Sequence, residues 1–313
     1  MRIRSAGIIS VIILAFAIFQ TGIPNAYVKP TGTPTINTGN SLTTGLVYYT
    51  FDTGSGYALL QDSSPGHAMY PPTQYGANPL VGGPSASNCT GAPSITTTSY
   101  GTGYNWPGAS AESGTLVCES SWVFDPTDTL RSIVNLYNQS GGSGVTIGAW
   151  LVPTAYNTAF SNIVFGRGAA GFLEMSPYAT LLLSMDANGL PQFWFYTTGA
   201  TNATVIAGST PLSLNAFHTM FGTCINDSTG SATCKLTVDG TEVATSSGNA
   251  VHDTTPGQEQ DEGQVQFGSY WHVYANHVSN VGAGAYYAGG LWNRGLSLSE
   301  RQSLSTQPWQ IFN

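Results

Sequence analysis

Short apolar, β-branched and aromatic runs recur along the chain, separated by stretches of Gly, Asn, Asp, Ser and Pro. The first clear run, Leu-Val-Tyr-Tyr-Thr-Phe at residues 46–51, ends in Asp-Thr-Gly. Runs of this length between turn residues are typical of strands. Similar runs predict further strands over residues 144–152, 163–166, 180–185, 192–197, 203–208, 218–225, 233–238, 242–245, 264–267 and 285–292.

Turn-forming residues divide these runs. Residues 186–189 (Asp-Ala-Asn-Gly) and 239–240 (Asp-Gly) lie between predicted strands and predict hairpin turns. Residues 61–115 differ, because they are rich in Gly, Pro, Ser and Asn and show little alternation. We therefore expect long loops there, which are either functional or without a role of their own.

One segment near the end of the chain, residues 297–304, has a helical pattern. Ser297 or Ser299 can cap this helix, and Glu300 falls in its first turn. Many short strands with a single short C-terminal helix predict an all-β fold, a two-sheet antiparallel jelly-roll sandwich.

The N-terminal region predicts export. A cationic start, Met-Arg-Ile-Arg, precedes an apolar run over residues 6–19, as in a signal peptide. This run is shorter than the about 20 residues that span a membrane, although an uncleaved anchor is the alternative. We assign residues 1–26 to the signal, 27–45 to a Thr/Pro/Gly-rich arm or linker, and 46–313 to one domain. The mature chain is then secreted or at the cell surface, with no membrane span.

The charge of the chain limits the kinds of ligand that it can bind. Only 8% of the 313 residues are charged and the net charge is −8, against roughly 25% charged residues in average soluble domains. Eight Lys and Arg residues cannot build a basic face for phosphates, which excludes nucleic acid. Anionic membranes and polyanionic glycans are disfavoured for the same reason. Neutral glycans and protein surfaces remain.

The cysteines predict disulfides. There are four, an even number behind a predicted signal, and no Cys-x-x-Cys spacing that would suggest zinc or redox chemistry. Cys224 and Cys234 flank a turn-forming stretch between two predicted strands, so we expect them to pair. Cys89 and Cys118 then form the second bridge, and crossed pairing is the alternative.

The order of several segments is familiar. Residues 46–52, the Ala-Trp strand at 145–153, the three strands and Asp-Gly turn at 218–244, and the closing strand and helix at 287–304 are colinear with one family. Together they resemble the bacterial and phage laminin-G-like domains, which are concanavalin-A-like sandwiches. The resemblance covers about residues 46–313 and implies the same fold.

The resemblance also bears on metal binding. Relatives often bind Ca²⁺ near the start of the domain, where Asp52 and Asp62 lie beside Gly-rich turns, so these two are candidate calcium ligands. The alternative is that each carboxylate bonds its own turn. The closing strand of the family usually carries an Asp-Glu pair, but this chain has Tyr287 and Ala288, so the role of that pair is not carried over. No other cofactor is expected.

Catalytic motifs are not found in the sequence. The Glu-x-Asp-x-x-Glu spacing of sandwich glucanases is absent, as are His-Glu-x-x-His and Gly-x-Ser-x-Gly. Nothing in the sequence marks a Ser-His-Asp arrangement either. We therefore assign no catalytic residue.

Aromatic residues are the candidate ligand contacts, because a flat ring offers apolar area to a sugar without charge. Tyr104 and Trp106 fall in the predicted long-loop region, and Tyr270, Trp271 and Tyr274 fall between two predicted strands. Exposed rings there would form a binding platform. The alternative is that they cover the rim of the sandwich.

Three functions follow as hypotheses. The first is a secreted, non-catalytic binding or adhesion module for neutral glycans or a surface protein. The second is a structural subunit of an extracellular filament, envelope or virion surface, in which the arm adds a strand to a neighbouring sheet. The third is a polysaccharide hydrolase or lyase, which needs reactive side chains converging on the concave face of a sheet.

Overall fold

The structure is a computed structural model that describes residues 28, 36–52, 60–62, 69–70, 94–109, 122–124, 144–156, 162–168, 181–195, 197, 204–227, 229–249, 264–267, 270–272, 277–279 and 281–312. Within these residues the first nine strands are β1 (Leu46–Asp52), β2 (Leu60–Asp62), β3 (Met69–Tyr70), β4 (Ser94–Thr98), β5 (Gly101–Ala109), β6 (Trp122–Phe124), β7 (Gly144–Ala155), β8 (Asn162–Gly168) and β9 (Leu181–Met185). The remaining strands are β10 (Pro191–Phe195), β11 (Thr204–Ala207), β12 (His218–Asn226), β13 (Ser231–Val238), β14 (Thr241–Asn249), β15 (Gln264–Phe267), β16 (Tyr270–His272), β17 (His277–Ser279) and β18 (Val281–Trp292). A 3-10 helix (Ser41–Thr43) precedes β1, and the α-helix α1 (Leu298–Thr306) follows β18.

The predicted elements are confirmed: β1, β7 to β15 and β18 each overlap a predicted strand. The predicted helix is α1, and Ser297 is its cap. The Ser297 hydroxyl accepts the Glu300 N–H at 3.3 Å, and the Glu300 carboxylate accepts the Ser297 N–H at 2.8 Å, which completes a capping box. Asp239 and Gly240 both have positive φ, 49° and 78°, as a two-residue hairpin turn requires.

The prediction of loops throughout residues 61–115 is wrong. Strands β4 and β5 lie there as a hairpin, and β5 also pairs with β18. The sequences of β4 and β5 are rich in Thr and Gly and show little alternation. Their conformation is instead fixed by a tertiary contact, the pairing of β5 with β18. Gly103 allows the close approach, since a Cβ there would lie 2.8 Å from the Tyr286 carbonyl oxygen.

Sixteen strands form one hydrogen-bonded network that folds into two layers. One layer runs β14-β13-β12-β7-β18, and the other runs β8-β9-β10-β11, joined by a parallel bridge between β18 and β8. Strands β9 to β11 pack over β12 to β14 without hydrogen bonding to them. The Phe193 ring of β10 lies so close to Gly222 of β12 that a Cβ there would come within 2.3 Å of it. This is the predicted antiparallel sandwich.

The central strand β7 is buried on both faces, which explains its nearly continuous apolar sequence. Ile147 pairs with Gly222 and therefore shares the inner face that meets Phe193. Trp150 belongs to the opposite face, which we call the outer face. There it packs against Phe221, with ring centroids 5.6 Å apart.

The outer face is covered by α1, the C-terminal tail and an N-terminal segment. Trp309 of the tail stacks on Trp150, and the indole N–H of Trp292 donates to the Leu42 carbonyl at 2.8 Å. The covered side chains form one apolar cluster: Leu42, Trp150, Val152, Phe221, Ala285, Tyr287, Ala288, Trp292, Leu296, Leu304, Trp309, Ile311 and Phe312.

Part of the predicted arm packs against the domain. Residues 36–45 were assigned to the arm, yet Leu42 is buried and Ile36 forms a β-bridge with Phe312. The Asn37 N–H also donates to the Ile311 carbonyl at 2.8 Å. The segment has few large apolar residues, so its packing depends on a partner at the far end of the chain. Residues 36–45 of the predicted arm therefore pack on the sandwich, and the boundary at Leu46 stays a prediction.

The predicted Cys224–Cys234 disulfide is confirmed, and the two residues are direct partners in the β12–β13 pair. Cys89, Cys118 and the predicted signal lie outside the described residues. In the described part of the chain, no helix has the length and apolar character to cross a membrane.

Candidate functional site

The structure places the predicted aromatic contacts in strands, not in loops. Tyr104 and Trp106 lie in β5, opposite Tyr286 and Gly284 of β18. Tyr270 and Trp271 lie in β16, which pairs with β17 in a separate two-stranded sheet. Tyr274 is outside the described residues. The loop assignment is thus wrong for the four residues that can be compared.

The chain path brings two of these aromatic segments to one end of β18. Strand β17 ends at Ser279, and β18 begins at Val281, which pairs with Ala109 at the end of β5. The base of the β16–β17 hairpin therefore adjoins the end of β5 that follows Trp106. We call this region, made of residues 104–109, 270–272 and 277–279, the hairpin end.

The two candidate calcium ligands are close along the sheet. Strands β1 and β2 pair so that Thr50 faces Asp62 and Asp52 faces Leu60, which makes the two aspartates diagonal neighbours. Two carboxylates supply fewer than the six to eight oxygens, roughly, that Ca²⁺ takes. Across the described residues there is no group of three or more His, Cys, Asp or Glu that could hold a metal. Calcium binding by Asp52 and Asp62 stays a prediction.

Two of the described carboxylates accept hydrogen bonds within hairpin turns. Asp186 accepts the N–H groups of Asn188 and Leu190, each at 2.8 Å. Asp227 accepts the hydroxyl and N–H of Thr229 and the N–H of Ser231, and these bonds lower the pKa of its carboxyl. Both side chains are occupied in fixing hairpin turns.

Two more of the described carboxylates, Glu242 and Glu300, form ion pairs. Glu242 of β14 lies 2.9 Å from the Lys235 ammonium and 2.6 Å from the guanidinium of Arg301, which is only 2% exposed. Burial raises the pKa of Glu242, but the two cations outweigh it and the net shift is downward. Glu300 pairs with Arg294 at 2.7 Å. These pairs fasten α1 and the closing segment to the sheet.

The fifth described carboxylate belongs to a chain of polar groups at the start of β12. His218 places Nδ1 2.7 Å from Asp239 Oδ2 and Nε2 3.0 Å from Ser213 Oγ. The order hydroxyl, imidazole, carboxylate is that of a serine nucleophile with its base. No sequence motif marks this arrangement, because the three residues come from a loop, a strand start and a turn.

The hydrogen bonding of His218 argues against such a role. Nε2 also lies 3.0 Å from the Ser213 carbonyl oxygen, which can only accept, so Nε2 carries a proton. Nδ1 faces a carboxylate and donates to it as well. Burial lowers the pKa of His218, whereas the hydrogen bond and charge of Asp239, together with the Ser213 carbonyl, raise it. The raising effects are larger, so the pKa of His218 lies above its ordinary value. A ring protonated at both nitrogens cannot take a proton from Ser213.

These three residues instead fasten the loop before β12 to the β13–β14 turn, and we call them the His218 latch. Asp239 adds a second connection, because its Oδ1 accepts the Thr219 N–H at 2.8 Å. The latch fixes the backbone on both sides of Phe217. It therefore positions an aromatic ring that points to the other face of the strand.

Phe217 belongs to a group of rings at the β4–β5 turn that the sequence analysis did not single out. Its centroid lies 5.2 Å from Tyr100, 5.8 Å from Tyr287 and 6.2 Å from Trp309. Tyr100 and Phe217 are partly exposed, whereas the other two are buried. Thr98, Tyr100, Phe217 and Tyr287 form what we call the Tyr100 corner.

Tyr287 occupies a position where laminin-G-like relatives usually carry an acid. Its hydroxyl lies 2.5 Å from Thr98 Oγ1, so a neutral pair of hydroxyls stands there. Burial raises the pKa of Tyr287 to about 12. The corner is uncharged at physiological pH and offers rings and hydroxyls only.

Comparison with protein families confirms the laminin-G-like resemblance. Residues 129–275 match the sequence model of the laminin-G family described as the concanavalin A-like lectin/glucanases superfamily. A search of the curated proteins finds no match to the chain.

Solved structures show the same kind of fold at low identity. A Trypanosoma rangeli sialidase mutant displaying trans-sialidase activity is 15% identical with a TM-score of 0.51, covering 87% of this chain and 34% of that one. The T. rangeli sialidase in complex with sialic acid is 16% identical with a TM-score of 0.50, covering 92% and 37%. The botulinum neurotoxin serotype G binding domain is 11% identical with a TM-score of 0.50, covering 85% and 51%. The chain spans about a third to a half of the length of these structures, and the likeness concerns the fold alone.

Proposed function

We propose that this chain is a secreted, non-catalytic module that binds neutral glycans. The observation that carries the proposal is the position of two aromatic segments at the hairpin end. Strand β5, with Trp106, pairs with the start of β18, and the β16–β17 hairpin, with Tyr270 and Trp271, directly precedes that start in the chain. Aromatic rings are suited to sugars because their faces bury the C–H surface of a pyranose. The laminin-G-like fold is compatible with this use.

The state of the acids supports a non-catalytic role. Glycoside hydrolysis needs two carboxyl groups on either side of the scissile bond. The five carboxylates whose side chains are described each bond a turn, a cation or His218. The described part of the outer face is filled by apolar and hydroxyl side chains beneath α1 and the tail.

Charge favours neutral ligands over acidic ones. The chain has a net charge of −8 and eight Lys and Arg residues. Three of these, Lys235, Arg294 and Arg301, already pair with glutamates. An acidic sugar would meet an unfavourable field and find few cations to bind.

Secretion is part of the same proposal. A disulfide such as Cys224–Cys234 forms and persists in oxidising compartments, which agrees with the predicted signal peptide. Cys89 and Cys118 would form a second bridge in the same environment.

The proposal is tested by probing an array of neutral and acidic glycans with the full mature chain. We expect binding to neutral glycans, with Trp106→Ala and Trp271→Ala each reducing it about tenfold, as for an interface hot spot. Trp194→Ala is the matched control, since Trp194 is a partly exposed indole on β10, which is separated from β5 by β9, β8 and β18 in the strand order. The proposal would be contradicted if no glycan on the array binds the chain, or if the chain prefers the acidic glycans.

A second candidate function, assembly into an extracellular structure, is favoured by the position of β14. This strand ends the order of its layer, and its exposed residues include Val243 at 37%. An unpaired edge can accept a strand from a neighbouring chain. Sedimentation of the mature chain with and without residues 27–35 tests this, and a monomer in both cases rules it out.

A further inference from the structure

We infer that the Tyr100 corner is a second saccharide contact, separate from the hairpin end, and that it takes a neutral pyranose. The inference rests on the proposed function and adds a site to it. Tyr100 precedes β5, whereas Trp106 lies toward the other end of the same strand. The two regions therefore contact different parts of an oligosaccharide or different chains.

Two partly exposed rings lie next to each other at this corner. Tyr100 and Phe217 have centroids 5.2 Å apart and are tilted by 33°. Phe217 rests on Tyr287 and Trp309 beneath it. A surface that is partly exposed above and packed below loses little side-chain entropy when a ligand binds.

The β4–β5 turn that carries Tyr100 is held by hydrogen bonds. Strands β4 and β5 pair Thr98 with Gly101, and the Thr98 hydroxyl accepts the Tyr100 N–H at 3.0 Å. The bond between Thr98 and the Tyr287 hydroxyl fastens this turn to β18. On the other side, the His218 latch fixes the backbone next to Phe217. The β4–β5 turn thus positions Tyr100, and the His218 latch positions Phe217.

The Tyr100 hydroxyl is the polar group beside the rings, and it forms no hydrogen bond to any of the described residues. Its ring packs with Phe217, which contacts Tyr287, and the Tyr287 hydroxyl bonds Thr98. A pyranose stacked on the rings can place one of its hydroxyls against that of Tyr100. Such an arrangement of apolar area with a few polar groups is typical of ligand sites.

The class of ligand follows from what the corner contains. Its four side chains carry hydroxyls and rings but no charge. Base stacking in single-stranded nucleic acids is accompanied by a cationic groove for the backbone, and the corner supplies no cation. An acidic sugar also lacks a partner there. A neutral pyranose needs only the rings and hydroxyls that are present.

The test is a calorimetric titration of the full mature chain with cellohexaose, maltohexaose, xylohexaose and sialyllactose, combined with amide chemical-shift mapping. We expect at least one neutral hexaose to bind and to shift the amides of residues 98–103 and 217. Tyr100→Ala should weaken that binding about tenfold, and Tyr100→Phe, which keeps the ring, less than that. Val205→Ala, an exposed apolar residue on β11, should leave the affinity unchanged.

The outcomes separate this inference from the proposed function. If a hexaose binds and Tyr100→Ala retains full affinity while Trp106→Ala loses it, the Tyr100 corner is not a contact but the module still binds glycans. If the wild-type chain binds none of the neutral probes, both are wrong. A thermal midpoint of Tyr100→Phe equal to the wild type shows that the fold is intact in that comparison.

Discussion

At the scale of single residues, His218 shows how a protonation state separates a structural group from a catalytic one. Distances alone place Ser213, His218 and Asp239 in the order of a nucleophile, its base and a carboxylate. The Ser213 carbonyl, which can only accept, requires the ring nitrogen beside it to donate. The protonated ring then connects two loops and stabilises them instead of activating the serine.

The raised pKa of His218 makes the stability of the fold depend on pH. The pKa of His218 is raised in the folded chain above its ordinary value of 6.5, so the folded state holds the proton more tightly than the unfolded state. The stabilisation is fully present below about pH 6.5 and is lost as the pH rises through the raised folded value. Because the side chain of Asp239 is 47% exposed, we expect a contribution of only about 1 kcal/mol.

The measurement is the free energy of unfolding by denaturant, taken from about pH 5 to pH 9. The wild type should lose stability relative to His218→Gln as the pH rises. Parallel profiles for the two proteins would show that His218 does not carry the extra proton.

At the scale of elements, the structure shows which strands a pattern can predict. Strands β12 and β13 combine β-branched residues with a turn signal, and the cysteines on either side of that turn were correctly paired. Strand β5 was missed because Thr and Gly dominate it and pairing with β18 decides its conformation. The Tyr100 corner was missed for the same reason, since it joins residues 98–100 to residue 217 and to residue 287.

Helix α1 was predicted from its cap, but its buried face is unusual because it carries a cation. Arg301 is buried against Thr237 and Glu242, and Ser305 bonds Thr219 at 2.7 Å. A helix with so few apolar contacts depends on these polar bonds to stay on the sheet.

We therefore predict that Arg301→Ala destabilises the fold by about 2 kcal/mol, because it removes the packing and the bonds of a buried guanidinium, while Glu242 stays partly exposed and paired with Lys235. Gln302→Ala, on the exposed side of the same helix, should change the free energy of unfolding by less than about 0.5 kcal/mol. Denaturant unfolding of the two variants checks this. Equal effects would mean that α1 is held mainly by Leu304 and the tail.

The β12–β13 hairpin supplies another prediction at this scale. The Cys224–Cys234 bridge closes a loop with a sequence separation of 10. In the loop-entropy description, a bridge of this size contributes about 3 kcal/mol. The double variant Cys224→Ala, Cys234→Ala should lose about that much in denaturant unfolding, and an unchanged midpoint would contradict it.

At the scale of the whole molecule, the two ends of the domain complete each other. The segment from Ile36 to Gly45 and the tail from Trp309 to Phe312 meet over the outer face, which neither could cover alone. Sequence patterns could not show this, because the contacts join residues almost three hundred positions apart, such as Ile36 and Phe312. The strands themselves, and the laminin-G-like order in which they follow one another, could be predicted.

Truncation tests this closure. Removal of residues 1–35 should leave the free energy of unfolding unchanged, while removal of residues 1–45 should cost about 3 kcal/mol or more, because it takes away the buried Leu42 and the acceptor of the Trp292 indole. Thermal or denaturant unfolding of both truncated chains gives the comparison. Equal stability of the two truncated chains would show that residues 36–45 do not stabilise the domain.

The proposed function is the binding of neutral glycans by an aromatic module that has few cations. The most direct measurement is the affinity of the full mature chain for cellohexaose, maltohexaose and xylohexaose, compared with sialyllactose, by titration calorimetry. We predict saturable binding of at least one neutral hexaose and none of sialyllactose. Binding of sialyllactose alone, or of none of the four, would contradict the claim.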